Sequence, residues 1–516
     1  MHKYDRIFKS TAYLMILTIF VKLIGFVKQA VIAYYFGTSE QMDIYLIAAD
    51  FISEIGTVFF STLSINLLTV YVKEIETGTK RDADRLVSNV FVCFAAIALG
   101  LSTLVWLSDD LLVKLLAPGF SANEQTLLSS YLRYLSIVIL NICISNICIA
   151  ILNGQKKFIH GKLIGFIQSI CMILSCVFFG REEGNKAVII GFISYYILQN
   201  IYLVWNTTKY VSFKPYKLFQ DDNVKKLVKL CVPLFISNAV VQVNVMADKA
   251  IASYLQDGSV SAISYGHYIF STIHVVIVGS LCTVVLSYFS AFIAKNEFSE
   301  LVKVIQKGVY ILLFILVPVV IVCIINSELI IRIIYGRGSF GEYSISITSR
   351  VFCGYAIGII FVAIRDYFIQ VLYALQANKV AMINGIIGVI VNITMSIILS
   401  RSIGIFGIAL GDSIAYFILM FLSYFALRKS NTQISKMFGL SSILQIMFAS
   451  GVSFLVGAFV NGACENINIY FSGIVSAVVS VVCFYSFLNI IRCRELLDLQ
   501  NTLISRIVLW YNKKRK

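Results

Sequence analysis

The sequence has little charge, few prolines and no catalytic signature. Asp, Glu, Lys and Arg together make up 13% of the 516 residues, and 59% are hydrophobic, whereas soluble domains carry about 25% charged residues. No nucleotide-binding P-loop, HExxH zinc motif or GxSxG nucleophile motif is present, so the usual sequence signs of nucleotide hydrolysis, zinc hydrolysis and acyl transfer are missing. The composition therefore predicts an all-α polytopic membrane protein that is not an enzyme.

Cysteine usage and net charge further limit which sites and partners this membrane protein is expected to have. The 12 cysteines lie in apolar runs and never form a C-x-x-C pair, so neither a redox motif nor a metal site is indicated. The net charge is +15. In a membrane protein such an excess sits in cytoplasmic loops beside anionic headgroups, which predicts membrane lipids and not nucleic acid as partners. The first apolar run is too long for a signal peptide, so we expect it to be retained as a span.

Hydropathy predicts about 14 membrane-spanning helices. Most of the apolar segments reach the length of about 20 residues that a helix needs to cross a bilayer. The segments are 11–36, 44–72, 86–108, 125–152, 159–180, 187–208, 227–254, 259–292, 304–326, 347–376, 380–400, 404–427, 440–462 and 469–491.

Loop charges predict the orientation of these spans. Lys and Arg concentrate at the N-terminus, at 73–85, 156–162, 209–229 and 295–307 and in the C-terminal tail, whereas the loops at 37–43, 255–258, 401–403 and 463–468 hold almost none. Because basic loops stay in the cytoplasm, both termini are expected there. An even number of spans is consistent with this arrangement.

Two short apolar segments and two loose matches indicate an internal repeat. Residues 111–120 and 329–338 each hold an apolar stretch with a basic residue and a Gly-containing turn, and are predicted to be interfacial helices. IAYY at 32–35 recurs loosely as IASY at 251–254, and ILNGQK at 151–156 as LYALQA at 372–377. The shared offset of about 220 residues predicts parallel halves with a substrate site between them.

The repeat divides the chain into three predicted regions. An N-terminal lobe of spans 1–6 occupies 1–222, and a C-terminal lobe of spans 7–12 occupies 223–436. Spans 13 and 14 and a basic cytoplasmic tail occupy 437–516.

Charged residues within the first two spans are the strongest functional signal. Lys22 and Lys28 lie in the first span, and Asp43, Asp50 and Glu54 follow at helical spacing on one face of the second. A charge at bilayer depth costs about 2.5–3.5 kcal/mol on insertion scales, so such residues usually line a cavity or pathway. We expect the cations to bind a phosphate or diphosphate headgroup. The alternatives are ion pairing between the helices and, for Asp43, a helix cap.

Polar residues in the later spans suggest further sites. Arg365 in span ten is a candidate substrate contact, and its neighbour Asp366 cannot share its helix face, so at least one of the two needs another partner. Three oxygen-bearing side chains, Asp248, Asn392 and Asp412, are candidates for a Na⁺ or proton site, with helix packing as the competing interpretation.

Two histidines, His267 and His274, lie seven residues apart on one face of span eight. Histidine titrates near neutral pH, so His267 is a candidate proton carrier. Ordinary hydrogen bonding within the bundle is the favoured alternative. No cofactor is expected, and transport would draw on a Na⁺ or H⁺ gradient or on the membrane potential.

The first span resembles a known family. The run GFVKQAVIAYYFG at 25–37, followed by Asp43, is similar to the pattern G-F-x-R-[DE]-x-x-x-A-x-x-F-G and downstream Asp of the MurJ (MviN) family of lipid II flippases. APGF at 117–120 resembles a turn of that family, AILNG at 150–154 the end of its fourth span, and the surroundings of Asp248 the end of its seventh.

This resemblance implies a multidrug/oligosaccharidyl-lipid/polysaccharide exporter fold, with two six-helix lobes forming a V around a cationic cavity and two C-terminal helices beside a lipid-tail groove. It implies that Lys22 and Lys28 replace two cavity arginines and that Asp43 matches the acidic residue after them. Gly56 and Tyr268 stand where further arginines are expected, and lysine lacks arginine's bidentate fork. The chain is therefore identified as a divergent member.

The resemblance implies a flippase of the bacterial inner or plasma membrane. It would move a polyprenyl-diphosphate-linked, lipid II-like precursor to the outer leaflet by alternating access for peptidoglycan synthesis, with cell-wall synthesis proteins as candidate partners. The alternatives are a flippase for another lipid-linked oligosaccharide, used in surface polysaccharide or teichoic acid export, and, less favoured, a drug/cation antiporter. A glycan polymerase or ligase would need a large outer loop, and a structural scaffold would tolerate neutral residues at both lysines.

Overall fold

The computed structural model describes residues 2–213, 222–430, 439–465 and 468–501, and these residues form helices and connecting loops without a strand. The predicted all-α polytopic membrane fold is confirmed. The helices are α1 His2–Phe36, α2 Glu40–Thr77, α3 Lys80–Leu107, α4 Asp109–Leu116, α5 Ala122–Ser136, α6 Val138–Gly154, α7 Ile159–Phe179, α8 Lys186–Thr207, α9 Asp222–Ala252, α10 Ser259–His274, α11 Ser280–Ala294, α12 Phe298–Ile325, α13 Ser327–Tyr335, α14 Glu342–Ala374, α15 Asn378–Ile403, α16 Ile405–Ser430, α17 Leu440–Glu465 and α18 Ile469–Ile490.

Twelve helical stretches within the described residues are long and apolar enough to cross a membrane. Two further helices, α1 and α9, contain 35 and 31 residues and occupy predicted spans one and seven. Both exceed the length of about 20 residues that a crossing requires. Together these helices lie at the positions of all 14 predicted spans.

The helix bounds repeat along the chain. The two segments predicted to be interfacial form the short helices α4 and α13, which begin at positions 109 and 327. The helices that precede them, α3 and α12, begin at positions 80 and 298 and are separated by the same distance in sequence. The helices that follow, α5 and α14, begin at 122 and 342 and have nearly the same separation. The predicted repeat is therefore present in the order of these helices and in the spacing of their first residues.

Local capping explains where several helices begin. Ser39 accepts a hydrogen bond from the Met42 backbone at the start of α2. Thr79 and Asp82 form a reciprocal capping box on α3. Such side chains satisfy the amides that the first helical turn leaves without an intrahelical partner.

The short helix α4 is held against α5 by a buried carboxylate. Asp109 accepts a hydrogen bond from Arg133 Nε at 2.6 Å and another from the Ser129 hydroxyl. Burial raises the pKa of Asp109, but these hydrogen bonds outweigh it and leave that pKa below its ordinary value. The guanidinium of Arg133 also lies over the Trp106 ring, 5.7 Å from its centroid.

The chain forms two compact units. The first contains residues 1–265 and 335–345, and the second contains 266–334 and 346–516. The division into lobes at residue 222 stays a prediction. The boundary at residue 436 and the basic tail at 513–516 lie outside the described residues.

Within the first unit, α2 is the central element and packs against α5, α6 and α9, while α1 packs on α7. Within the second unit, α15 packs on α16 and α17 on α18. The last two helices share an apolar core with α12, centred on Phe314, Ala449 and Phe484. The candidate functional residues lie on α1, α2 and α9 of the first unit and on α10 and α14–α16 of the second.

Candidate functional site

The two candidate cations of the first span lie on α1. Lys22 and Lys28 are both half-buried, and Lys28 interacts electrostatically with Lys22 and with Asp50 of α2. Two ammonium groups within range of each other make an electropositive region, and the Asp50 carboxylate offsets only part of that charge. An anion bound at this face would relieve the remaining repulsion.

Asp50 has its ion-pair partner on a third helix. The Lys249 ammonium of α9 donates to the Asp50 carboxylate and also lies 3.3 Å from the Leu46 carbonyl oxygen. The Lys249 side chain is 5% exposed, whereas that of Asp50 is 41% exposed. The pair therefore fastens α9 to α2 while leaving one edge of the carboxylate open.

Breaking this pair from the acidic side is expected to destabilise the protein. Asp50→Ala leaves a buried ammonium without its counter-charge, which costs about 3–5 kcal/mol for a buried pair and less here because Asp50 is partly exposed. We expect a lower midpoint in thermal unfolding of the purified protein. Asp50→Ala combined with Lys249→Met removes both charges and should recover most of the loss. An equal loss in the single and double variants would contradict a stabilising pair.

Asp43 is buried in a different environment from Asp50. Its carboxylate accepts backbone hydrogen bonds from Gly258 at 2.8 Å, Val260 at 3.3 Å and Ser261 at 2.7 Å. These amides form the start of α10, so a side chain of α2 caps a helix that is remote from it in the sequence. The geometry favours the capping interpretation of Asp43, and its predicted role in binding substrate stays a prediction.

Removing the Asp43 cap should loosen the start of α10. Asp43→Ala leaves three buried amides without an acceptor, and each unsatisfied group costs about 1–3 kcal/mol unless water replaces the carboxylate. We expect faster hydrogen exchange in a peptide covering residues 258–261, and a smaller effect for Asp43→Asn, which keeps one acceptor oxygen. Asp110→Ala, at an exposed acid in the first turn of α4, is the control. Unchanged exchange in Asp43→Ala would contradict the capping role.

Four loops meet at the end of the first unit where Asp43 lies. The Thr38 hydroxyl is 2.7 Å from that of Ser344, and the Ser339 amide donates to the Tyr34 carbonyl at 2.8 Å. The Gly119 amide donates to the Ser253 hydroxyl at 3.1 Å. Two of the four, at 37–43 and 255–258, are loops predicted to lie outside, and they touch where Gly258 approaches Thr38, which is consistent with the predicted alternation.

Close backbone approach explains two glycines in this loop cluster. Gly258 has a φ of +86°, which disfavours a side chain, and a Cβ there would lie 2.5 Å from the Thr38 carbonyl oxygen. Gly338 has a φ of +59°, and a Cβ there would overlap the Tyr34 backbone. Both positions therefore allow the loops to touch through their main chains.

Glu54 lies one helical turn beyond Asp50 and is half-buried. Its side chain lines a cavity of about 480 Å³ between α2, α4 and α9, together with residues that are nearly all apolar. The shared face predicted for Asp43, Asp50 and Glu54 therefore leads to three different environments, namely a helix cap, an ion pair and an apolar cavity.

The second unit contains a separate charged cluster. The Asp366 carboxylate lies 3.0 Å from His274 Nε2 and 3.0 Å from Arg365 Nε. The Arg365 guanidinium also lies over the Tyr416 ring, 5.5 Å from its centroid. The expectation that the adjacent Arg365 and Asp366 cannot meet is wrong, because their side chains pair directly; each also has a second neighbour, His274 for Asp366 and Tyr416 for Arg365. The substrate-binding role of Arg365 stays a prediction.

The proposed coupling residues divide between the two units. Asn392 and Asp412 are buried on α15 and α16, and the Asn392 amide donates to the Asp412 carboxylate. Asn392 Oδ1 makes no hydrogen bond, so this pair retains an acceptor oxygen. Asp248 is buried on α9 of the first unit, so its grouping with the other two stays a prediction.

His267 is exposed and lies beside aromatic rings, with its ring centroid 5.4 Å from that of Tyr355 and 5.5 Å from that of Phe270. Its role as a proton carrier stays a prediction. Within the ranges that the structure describes, no group of three or more His, Cys, Asp or Glu side chains is arranged to bind a metal ion.

Sequence reasoning missed two residues of these clusters as site candidates. Lys249 directly follows the selected Asp248, yet it is Lys249 that pairs with Asp50. His274 lies two helical turns after the selected His267, yet it is His274 that faces Asp366. In both cases a charged or titratable neighbour was visible in the sequence, but only tertiary packing identifies the partner.

Comparisons with known proteins agree with this architecture. A family model described as lipid II flippase MurJ matches residues 32–476. The chain is similar to a probable lipid II flippase MurJ of Rickettsia prowazekii, with 26% identity over 414 residues, which cover 79% of this chain and 81% of the relative.

Two solved structures share the fold. A lipid II flippase MurJ in an inward closed conformation has a TM-score of 0.78 at 24% identity, covering 94% of this chain and all of that one. An inward-facing MATE family multidrug transporter has a TM-score of 0.69 at 12% identity, covering 82% of this chain and 98% of that one. At these identities the likeness is one of fold, and both lipid and drug transporters share it.

Proposed function

Because the chain belongs to the lipid II flippase MurJ family, we propose that it translocates a polyprenyl-diphosphate-linked cell-wall precursor, lipid II or a close analogue, across the bacterial inner or plasma membrane. The observation that carries this proposal is the family match over residues 32–476, together with two half-buried lysines on α1. The precursor reaches the outer leaflet, where it is used for peptidoglycan synthesis.

The headgroup binds at the electropositive face of α1. Lys22 and Lys28 act as point charges toward the diphosphate, and each charge-assisted contact contributes about 1.5–3 kcal/mol. Asp50 is neutralised by Lys249, so it does not cancel both lysines. The polyprenyl chain stays in the lipid bilayer, because its apolar surface is buried there and would otherwise be exposed to water.

Translocation proceeds by alternating access, and the loop cluster closes one end during the cycle. The Thr38–Ser344 and Tyr34–Ser339 contacts join the loop before α2 to the segment that leads into α14. These contacts are few and lie between loops, so they can break and re-form at a modest cost. We assign this end to the outside, with both termini cytoplasmic, on the strength of the loop charges.

Energy is supplied by a Na⁺ or H⁺ gradient or by the membrane potential, and Asp412 is the candidate coupling carboxylate. Asp412→Asn keeps an oxygen that accepts from Asn392 but removes the negative charge. We expect wild-type translocation to respond to external Na⁺ or to pH and the variant to lose that response. A variant that retains the wild-type response would exclude Asp412 from coupling.

A second cargo, another lipid-linked oligosaccharide, is favoured by one observation. Gly56 takes the place of an expected arginine and packs on α6, where an added Cβ would lie about 3.0 Å from Ile142 Cγ2 and closer still to its Cδ1. Position 56 is thus a helix-packing position with no room for a long cation. A diphosphate site with fewer cations would suit a headgroup recognised mainly through its sugars.

Complementation distinguishes the two cargoes. A strain whose own lipid II flippase is under conditional control is depleted while this chain is expressed and its membrane level is checked. Rescue of growth supports lipid II as cargo. Failure of a well-expressed chain overturns that cargo and favours the second candidate, which is then tested in a strain lacking its surface-polysaccharide flippase.

A further inference from the structure

Lys249 is a buried cation that lies outside the proposed headgroup site. It belongs to α9, its side chain is 5% exposed, and its ammonium donates to the Asp50 carboxylate and lies 3.3 Å from the Leu46 carbonyl oxygen. Both of these oxygens belong to α2, so Lys249 is held against that helix. An ammonium so enclosed has almost no surface with which to contact a headgroup, and its influence on the site passes through Asp50.

Asp50 lies within electrostatic range of cations on two different helices. Its Oδ2 atom meets Lys249 of α9, and its charge also attracts Lys28 of α1. The Asp50 side chain is 41% exposed, so it has room to turn. If the charge of Lys249 were removed, Lys28 would become the cation that pairs with Asp50. That pairing would cancel one of the two charges that the diphosphate requires.

The number of charges leads to the same conclusion. The electrostatic interactions of Lys28 and Glu54 join five side chains into one network, which consists of Lys22, Lys28, Asp50, Glu54 and Lys249. With every group ionised, three ammonium groups and two carboxylates leave an excess of one positive charge. Without Lys249 the network would be neutral, and a neutral site gives an anion no electrostatic preference over an uncharged ligand.

We propose that Lys249 is a positioning residue that makes the headgroup site selective for an anion. It holds Asp50 toward α9 and thereby leaves Lys22 and Lys28 available to the diphosphate. Because this role presupposes that the two α1 lysines bind the headgroup, it rests on the proposed function. The competing interpretation is that the pair of Asp50 and Lys249 only fastens α9 to α2.

Two single variants break the same ion pair and distinguish these interpretations. Lys249→Met removes a positive charge and should weaken the binding of an anion about tenfold. Asp50→Asn removes a negative charge beside Lys28 and should bind the anion at least as tightly as the wild type does. If the pair only fastened the two helices, both variants would lose affinity together.

Equilibrium binding of a matched pair of probes gives the measurement. Purified full-length protein in phosphatidylcholine nanodiscs is titrated with farnesyl diphosphate and, separately, with farnesol, which has the same prenyl chain and no charge. Titrations are run below the thermal unfolding midpoint of each variant, and empty nanodiscs give the background from partition into lipid. We expect the wild type to prefer the diphosphate and Lys249→Met to lose most of that preference.

Three further variants serve as controls. Lys249→Met combined with Asp50→Asn again leaves one excess positive charge and should regain the preference for the diphosphate. Lys249→Arg keeps the charge and should bind as the wild type does. Lys186→Met, at an exposed lysine in the first turn of α8, should also leave binding unchanged.

Two results would overturn the role of Lys249. One is an unchanged preference for the diphosphate in Lys249→Met. The other is a loss of affinity in Asp50→Asn as large as that in Lys249→Met, and Asp50→Asn compared with the wild type carries the test if Lys249→Met does not fold. A wild-type protein that binds both probes equally would instead overturn the proposed headgroup site and this role with it, so the two failures are distinguishable.

Discussion

Replacing both Lys22 and Lys28 by alanine is expected to abolish rescue of a flippase-depleted strain, while the wild-type chain supports growth. Each lysine supplies about 1.5–3 kcal/mol of charge-assisted binding to the diphosphate, so losing both weakens the affinity for the headgroup by roughly a hundredfold or more. The two side chains are half-buried on α1, where water screens a bound anion less than at an open surface. Growth after depletion, at matched membrane levels of protein, is the measurement.

Two control variants distinguish the loss of positive charge from a defect in the packing of α1. Lys22→Arg combined with Lys28→Arg keeps both charges and should retain rescue. Gln29→Ala alters a half-buried neighbour on the same helix and should also retain it. Full rescue by the double alanine variant would remove these lysines from the mechanism, and loss of rescue with Gln29→Ala would point to a packing defect in α1.

Locking the loop cluster is expected to stop translocation almost completely. Thr38 and Ser344 have hydroxyl oxygens 2.7 Å apart, so cysteines at these positions are close enough to be bridged with little backbone movement. Ser344 lies at the start of α14, which continues from the first unit into the second. Both residues belong to the first unit, so a covalent bridge would hold the loop before α2 on the start of α14, and any step of the transport cycle that separates these two loops would stop.

The Thr38→Cys/Ser344→Cys double variant should lose activity under mild oxidation and regain it with a reductant. Each single-cysteine variant should stay active under both conditions. These single variants also control for the 12 native cysteines, which are all unpaired. A bridged protein that still translocates its cargo would contradict opening at this end.

Hydropathy was sufficient to predict the helices, because crossing a bilayer imposes a length and an apolar composition on each span. It located the two short helices as well, since α4 and α13 differ from the spans in length. The offset shared by the weak sequence matches also reappears in the helix bounds, as in α3 and α12. These features are local in sequence, so the sequence alone determines them.

The partners of the charged residues were not predictable in the same way. Helical periodicity places Asp43 and Asp50 on one face of α2, but it cannot show that one caps α10 and the other meets α9. Both partners lie far from α2 in the sequence. The sequence also does not show that Lys249, and not its neighbour Asp248, points toward α2. A step of one residue rotates a side chain by about 100° around the helix axis, so adjacent residues point toward different helices.

Gly56 illustrates a further limit of matching by motif. The family pattern places an arginine here, and the structure shows why this chain has none, because position 56 packs against Ile142 of α6 and leaves no room for a long cation. A motif aligned without gaps gives the order of residues, and the rotation of the helix decides which of them face a substrate. The number of cationic contacts to the headgroup is therefore set by geometry that the sequence pattern does not contain.

The leaflet distribution of the lipid-linked precursor itself tests most directly whether this protein translocates lipid II. In cells depleted of their own flippase, a membrane-impermeant enzyme that cleaves lipid II at the outer surface reports how much precursor has crossed. We predict that the wild-type chain restores the cleavable fraction and that the Lys22→Ala/Lys28→Ala variant leaves the precursor protected inside. A cleavable fraction that stays low with a well-expressed wild-type chain would contradict translocation of lipid II by this protein.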